Sequence, residues 1–216
     1  ATIVQDLLTL ARRGVTISEV VNLNDIISMQ MKSPEFEKLH ASNPAVTIKS
    51  RLDPELQNIR CSAVHLAKSI VNLVFNAAEA MPGGGEIGIE TQNRYVDLPI
   101  RGYDHVDEGE YAALLISDTG IGISKGDIEH IFEPFYTKKV MGRSGSGLGM
   151  AVVWGTVKDH KGYIDVQSVE GEGSTFTLYF PATTQEPAQV RPSPTTADYM
   201  GKGQSILVVD DVKEPR

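Results

Sequence analysis

Between Cys61 and Met81 the chain is apolar almost all the way round a helix. Val64, Leu66, Ile70, Val71, Leu73, Val74, Phe75 and Ala77 point in most directions, which predicts a helix packed over most of its surface. One narrow polar line interrupts that coat. His65, Ser69, Asn72, Asn76 and Glu79 follow one another at steps of four, three, four and three, so they stack on one helical face. An asparagine costs a helix about 0.5 kcal/mol relative to alanine. Two of them in one apolar helix predict a seam facing a ligand or a wet cleft.

The patterning on either side predicts an α/β chain. Ile3, Val4, Leu7, Leu8 and Ala11 recur at helical spacing and stop at Arg12, Arg13 and Gly14. Val20 to Leu23 reads as a short strand, and Asn24 or Asp25 caps a helix running towards Met31. Pro34 opens a further turn through Phe36 and Leu39 that Asn43-Pro44 breaks. Val46 to Leu52 alternates as a strand does, and Pro82 with Gly83 to Gly85 closes the long helix. Ile87 to Val96 and Tyr111 to Ser117 predict two strands joined by a polar connection from Asp97 to Glu110. Ser124 and Asp127 form an N-cap signature for a short helix ending near Phe132. A helix from Gly149 to His160 and a hairpin of Tyr163 to Val169 with Thr175 to Phe180 complete the pattern. From Pro181 to Gly203 the composition turns to linker residues, and Ser205 to Asp211 is an apolar strand ending on two aspartates.

Composition narrows the classes. With 216 residues and 41% hydrophobic content the chain can bury a full core, and a net charge of −8 argues against nonspecific nucleic-acid binding. The single cysteine, Cys61, excludes an internal disulfide and is expected to be a small buried residue. No apolar run approaches the roughly 18 residues a membrane span needs, and no signal-peptide pattern opens the chain, so a cytoplasmic location is expected. The chain begins at Ala1 and stops soon after a strand starts, so both ends are expected to be cut.

Three further stretches carry chemistry. Asp118-Thr119-Gly120-Ile121-Gly122-Ile123 follows a buried strand, where a carboxylate can accept a hydrogen bond from an exocyclic amine while Gly120 and Gly122 let a flat ring approach the backbone. That geometry suits adenine. Gly145-Ser146-Gly147-Leu148-Gly149 precedes a helix, and its exposed amides can cradle a polyphosphate with help from the helix dipole. It lacks the Lys-Ser/Thr ending of a P-loop. Between them Phe132 to Tyr136 supplies aromatic anchors, and Lys138, Lys139 and Arg143 form a basic segment suited to a mobile lid over a terminal phosphate. Any of the three cations can meet that phosphate; Asn72 and Lys138 are the candidate catalytic residues.

These four pieces, in this order, resemble the ATP-binding domain of sensor histidine kinases, within the superfamily that includes gyrase, mismatch-repair and heat-shock chaperone ATPases. The resemblance runs from about Val20 to Pro181. Asn72 to Ala77 resembles the family's N box, Asp118 to Ile123 its first glycine box, Phe132 to Phe135 its F box and Gly145 to Gly149 its second glycine box. It implies ATP and Mg²⁺ as ligands. Asn76 would ligate the metal, Asn72 would sit beside the phosphates, Asp118 would hold the adenine amine and Thr175 would lie near the base. The implied fold is α+β, a two-layer sandwich of a mixed, mostly antiparallel sheet covered on one face by helices. The implied division is 1–19, the end of a dimerisation hairpin; 20–181, the ATP-binding domain; 182–203, a linker; and 204–216, the first strand of a receiver domain.

In the ATPase relatives a glutamate one turn before the metal-binding asparagine activates water. Here that position is Asn72, and losing a general base typically costs about 10² to 10⁴ in rate. The resemblance therefore implies transfer of the γ-phosphoryl group to a histidine on a hairpin brought from outside, with a response regulator or receiver domain downstream and a homodimer in the full-length protein. The alternatives are an ATPase of the same superfamily and a nucleotide-binding module without chemistry.

Overall fold

The computed structural model describes residues 18–137 and 146–187. The short helix expected at Ile3 to Ala11, the cations Lys138, Lys139 and Arg143, Gly145, most of the linker and the strand expected at Ser205 to Asp211 lie outside these residues.

The organising helix is α3 (Ala63–Glu79), opened by Ser62, whose hydroxyl accepts from the His65 amide at 3.4 Å. Before it come α1 (Leu23–Gln30), capped by Asn22, and α2 (Pro34–Ser42), capped by Ser33 with proline in its first turn. After it come a single turn, α4 (Lys125–Ile128), and α5 (Gly149–Asp159). The strands are β1 (Glu19–Val21), β2 (Val46–Arg51), β3 (Asn58–Cys61), β4 (Gly85–Val96), β5 (Ile100–Arg101), β6 (His105–Val106), β7 (Gly109–Asp118), β8 (Tyr163–Val169) and β9 (Gly173–Thr183).

Seven strands form one sheet in the order β1-β3-β9-β7-β4-β2, with β8 also on β9. All pairs are antiparallel except β2 on β4, which starts at Val46↔Gly85. A parallel pair cannot be closed by a tight turn. The connection from β2 to β4 therefore spends its length on β3 and α3, and it brings the asparagine-bearing helix onto the sheet. Leu66, Ile70, Leu73 and Val74 of α3 share one buried cluster with Ile87 and Ile89 of β4, Leu114 and Ile116 of β7, and Leu178 of β9. Fully burying an aliphatic side chain is worth about 1.5–3 kcal/mol, so this contact is a main source of stability. The result is the mixed, mostly antiparallel sheet with helices that the resemblance implies.

Several local expectations change. A strand, β3, precedes the helix that the sequence pattern starts at Cys61, and Asn22 rather than Asn24 or Asp25 caps α1, accepting from the Asn24 amide at 2.9 Å. Val64 is not packed; it is 77% exposed. Ser69 is fully buried, donating to the His65 carbonyl at 3.0 Å, so the polar line on α3 is not wet along its whole length. Strand β9 runs on through Pro181 to Thr183, and its extension pairs Ala182 with Ile59 of β3.

The connection from Asp97 to Glu110 is more than a turn. It folds into β5 and β6, and Val106 packs with Val96, Tyr111, Ala113 and Tyr179 in a second small cluster, separate from the helix-covered core. Tyr103 instead packs against the main cluster. The excursion thus reaches both clusters and lies beside β8, shielding an edge that would otherwise present unpaired amides. Cys61 is buried, and burial first, then the Glu19 charge, pushes its thiol up to about 12.

Candidate nucleotide site

Asp118 ends β7 opposite Ser174 of β9. Its Oδ1 accepts from the Gly120 amide at 2.8 Å. The turn beyond it is pressed between two neighbours. On one side the Ile121 amide donates to the Ala80 carbonyl at 3.1 Å, just past the end of α3. A Cβ on Gly120 would sit 2.7 Å from that same carbonyl. On the other side the Gly171 amide donates to the Ile121 carbonyl at 2.8 Å, and the Ile123 amide to Ser168 Oγ at 2.8 Å. Gly122 has φ +67°, and a side chain there would collide with the Val169 carbonyl. Both glycines are therefore required by close backbone approach.

Asp118 bounds an open cleft of about 220 Å³ lined otherwise by Gln167, Ser168, Val169, Glu172, Gly173, Ser174 and Thr175 of the β8–β9 hairpin. Burial raises the Asp118 carboxyl above its ordinary value, against the lowering effect of the Gly120 and Ser174 backbone bonds. A desolvated carboxylate beside an open cleft is suited to accept from a planar ring's amino group. Thr175 stands in the same cleft.

Asn72 and Asn76 do not line that cleft; they lie one turn apart on α3, both half-buried. Asn72 Nδ2 donates to the Gly149 carbonyl at 3.1 Å, joining the N box to the first residue of α5. At the other end of the same helix pair the Ser62 amide donates to His160 Nε2 at 2.9 Å, so α3 and α5 lie antiparallel with a polar clamp at each end. Asn76 has no side-chain hydrogen-bond partner among the described residues, which leaves its carbonyl oxygen available. Leu148 occupies the cap position before α5; it is fully buried and provides no side-chain cap. Its first-turn amides are therefore disposed to take acceptors from a ligand, as phosphate-binding helix starts do. Gly147 has φ +65° and its carbonyl accepts from the Phe135 amide at 2.9 Å; Phe135 is itself left-handed at φ 69°.

The F-box ring is placed differently from the other candidates. Phe132 is only 7% exposed and lies 4.9 Å from the Tyr103 ring and 5.3 Å from Trp154. It seats its segment against the core. Tyr136 donates to Asp127 Oδ1 at 2.6 Å, holding the segment a second time. Neither Tyr103 nor the Ser168–Ser174 pair, whose hydroxyls are 3.0 Å apart, is marked by sequence spacing. Only the cross-strand register of β8 and β9 brings the serines together.

An open cleft at the end of β7, a helix start without a side-chain cap and an asparagine pair on the central helix are features suited to a nucleotide-binding α/β domain. The sequence profile of the "Histidine kinase-, DNA gyrase B-, and HSP90-like ATPase" family matches residues 61–184, more than half of the chain. The chain belongs to that family. It is 31% identical over 222 residues to the sensor kinase CckA of Brucella abortus (strain 2308), which covers 98% of this chain and 23% of the relative. It is 29% identical over 184 residues to the sensor histidine kinase ZraS of Salmonella typhimurium (strain LT2), covering 85% of this chain and 36% of that one. The chain thus spans about a quarter to a third of these relatives. The fold superposes on the mycobacterial sensor histidine kinase MprB with a TM-score of 0.59 at 22% identity, over 77% of this chain and 98% of that one. The family is one of ATP-binding domains. No described helix is long and apolar enough to cross a membrane.

Proposed function

We propose that the domain holds ATP with Mg²⁺ and presents the γ-phosphoryl group to a histidine on a separate dimerisation hairpin, from which it passes to a response regulator or receiver domain. Asp118 and Thr175 take the base. Asn72, Gly147 and the start of α5 face the phosphates; Gly145 and the cations Lys138, Lys139 and Arg143 are assigned to the phosphates from the sequence motif alone. Asn76 would be the protein ligand to the metal, which fits its neutral oxygen and the absence of a side-chain hydrogen bond to it among the described residues. A bound Mg²⁺ would neutralise phosphate charge during transfer.

The observation that carries the reading is the Asn72 amide, which spends its N–H on the Gly149 carbonyl at 3.1 Å. An amide in that position orients the second glycine box and cannot take a proton from water, so hydrolysis is poor and the acceptor comes from outside. In the transfer an imidazole nitrogen forms the N–P bond, the bond from the γ-phosphorus to the bridging oxygen breaks with its electrons staying on ADP, and the imidazole proton passes to solvent.

The test mixes this chain with the hairpin domain of its own full-length protein and γ-labelled ATP. Label should accumulate on a hairpin histidine only when both parts are present. Rapid steady-state turnover by the chain alone, or no label on a folded hairpin from ATP-loaded chain, would overturn the reading. Calorimetry should show Asn76→Asp changing the Mg²⁺ dependence of ATP affinity.

A further inference from the structure

The connection between β4 and β7 belongs to none of the motifs, yet it delivers an aromatic ring to one of them, the F box, and to the helix that follows another. Tyr103 meets Phe132 edge-on, with centroids 4.9 Å apart and planes at 68°, and Trp154 at 5.7 Å and 80°. Phe132 and Trp154 also touch each other, at 5.3 Å. The three rings come from three separate segments: the β5–β6 excursion, the F box and helix α5.

The excursion is held so that this ring cannot drift. The Tyr103 amide donates to Asp165 Oδ1 at 3.3 Å, and Asp165 is a buried carboxylate on β8. The next residue, Asp104, pairs with Lys158 of α5, whose ammonium lies 4.6 Å above the Trp154 ring and 5.2 Å above Tyr163. A carboxylate pair, a cation over two rings and a backbone bond therefore fasten Tyr103 from both sides.

The cluster also has short chain paths to the phosphate end. Phe132 lies three residues before Phe135, whose amide is bonded to the Gly147 carbonyl. Trp154 lies one and a half turns along α5 from Gly149, whose carbonyl holds Asn72. Moving Phe132 relative to Trp154 would displace Gly147 relative to Gly149 and Asn72. The adenine end is reached by the Tyr103 main chain and not by its ring: Asp165, which accepts from the Tyr103 amide, also accepts from Gln167 of the cleft at 3.0 Å, while the turn after Asp118 is tied to Ala80, Glu86 and the β8–β9 turn.

We infer that Tyr103 is a positioning residue for phosphate binding: its ring locks the F box against α5, so the second glycine box and Asn72 stand ready for the polyphosphate. The inference rests on the ATP-binding reading above. Its signature is selectivity by ligand part. Removing the ring should weaken ATP while sparing adenosine, which reaches only the Asp118 end.

The test titrates the full chain with ATP and, separately, with adenosine, reading the emission of Trp154, the sole tryptophan, alongside calorimetry. Tyr103→Ala should bind ATP about tenfold more weakly, the scale of two lost aromatic pairs. Its adenosine affinity should stay within about twofold. Tyr103→Phe should restore ATP affinity, because the ring and not the hydroxyl makes the contacts. Unchanged ATP affinity in a folded Tyr103→Ala, equal loss for both ligands, or a Tyr103→Phe as weak as the alanine variant would each overturn the inference. If the alanine variant does not fold, Tyr103→Leu keeps bulk without the ring and is judged by the same ATP-to-adenosine ratio. A wild-type chain that binds no ATP would instead sink the functional reading itself.

Discussion

At one end of the β4–β7 pair Ile87 faces Asp118, and the chain beyond is pressed against neighbouring backbone: amides of Thr119 and Ile121 donate to carbonyls of Glu86 and Ala80, and Gly120 and Gly122 stand where a Cβ would strike the Ala80 and Val169 carbonyls. At the other end Val96 faces Gly109, and the excursion is held by side chains, namely the Asp104–Lys158 pair, Tyr163 donating to Asp107 Oδ2 at 2.8 Å, and the three-ring cluster. The first arrangement tolerates almost no substitution, since a Cβ has nowhere to go. The second can trade one contact for another. The nucleotide slot sits at the unforgiving end, and the excursion that steadies its phosphate side sits at the adaptable one.

That contrast orders the expected effects of mutation. Gly122→Ala should do most damage, since a left-handed φ and the Val169 carbonyl both oppose it; a loss of about 2–4 kcal/mol in urea unfolding and no measurable ATP binding are expected. Near-wild-type values for both would show that the close approach is not rigid. Asp118→Asn comes next and should split stability from function. Charge-assisted hydrogen bonds are worth about 1.5–3 kcal/mol, so ATP affinity should fall by roughly 10- to 100-fold.

The same substitution should raise the melting temperature of the nucleotide-free chain. Because burial raises the Asp118 carboxyl, its contribution to stability is fully present below the unfolded aspartate value and is lost as pH rises through the higher folded value. At neutral pH the charge is therefore a net cost that asparagine removes. ATP affinity in the wild type should run the opposite way, falling as pH drops through that raised value. A melting temperature lowered by Asp118→Asn would contradict the desolvation account.

Lys158→Met should cost about 1 kcal/mol of unfolding free energy, from a partly buried ion pair and a cation over Trp154. A loss as large as that of Gly122→Ala would erase the distinction between the two ends. Arg51→Ala should have the smallest effect. Its pair with Glu90 spans 2.5 Å with the arginine side chain 82% exposed, so below about 0.5 kcal/mol is expected, shrinking further in added salt.

The same contrast explains which parts could be read before the fold was seen. Backbone contact demands glycine at set spacings, so the slot around Asp118 announces itself in the chain. Tyr103, Phe132 and Trp154 are far apart in sequence, and nothing in an isolated tyrosine says which distant rings it will meet. Periodicity recovers α3 because burial repeats at the helical period, but it cannot tell that Val64 faces water, since an apolar residue outside looks like one inside. Ser69 shows the converse. A short hydroxyl satisfies itself on the carbonyl one turn back, so a polar residue in the seam need not be wet. Strand β3 escaped because four residues with Asn58 and Arg60 alternating against Ile59 and Cys61 are too few to stand out beside a long helix.

Cys61 has a practical consequence. A thiol that is sealed in the core and held as S–H up to about 12 will not react with maleimides or iodoacetamide while the domain stays folded. A single cysteine introduced at exposed Leu98 or Val169 would then take a dye or spin label alone, with the native residue left in place. With both positions labelled together, the distance between the excursion and the mouth of the cleft could be followed as nucleotide is added.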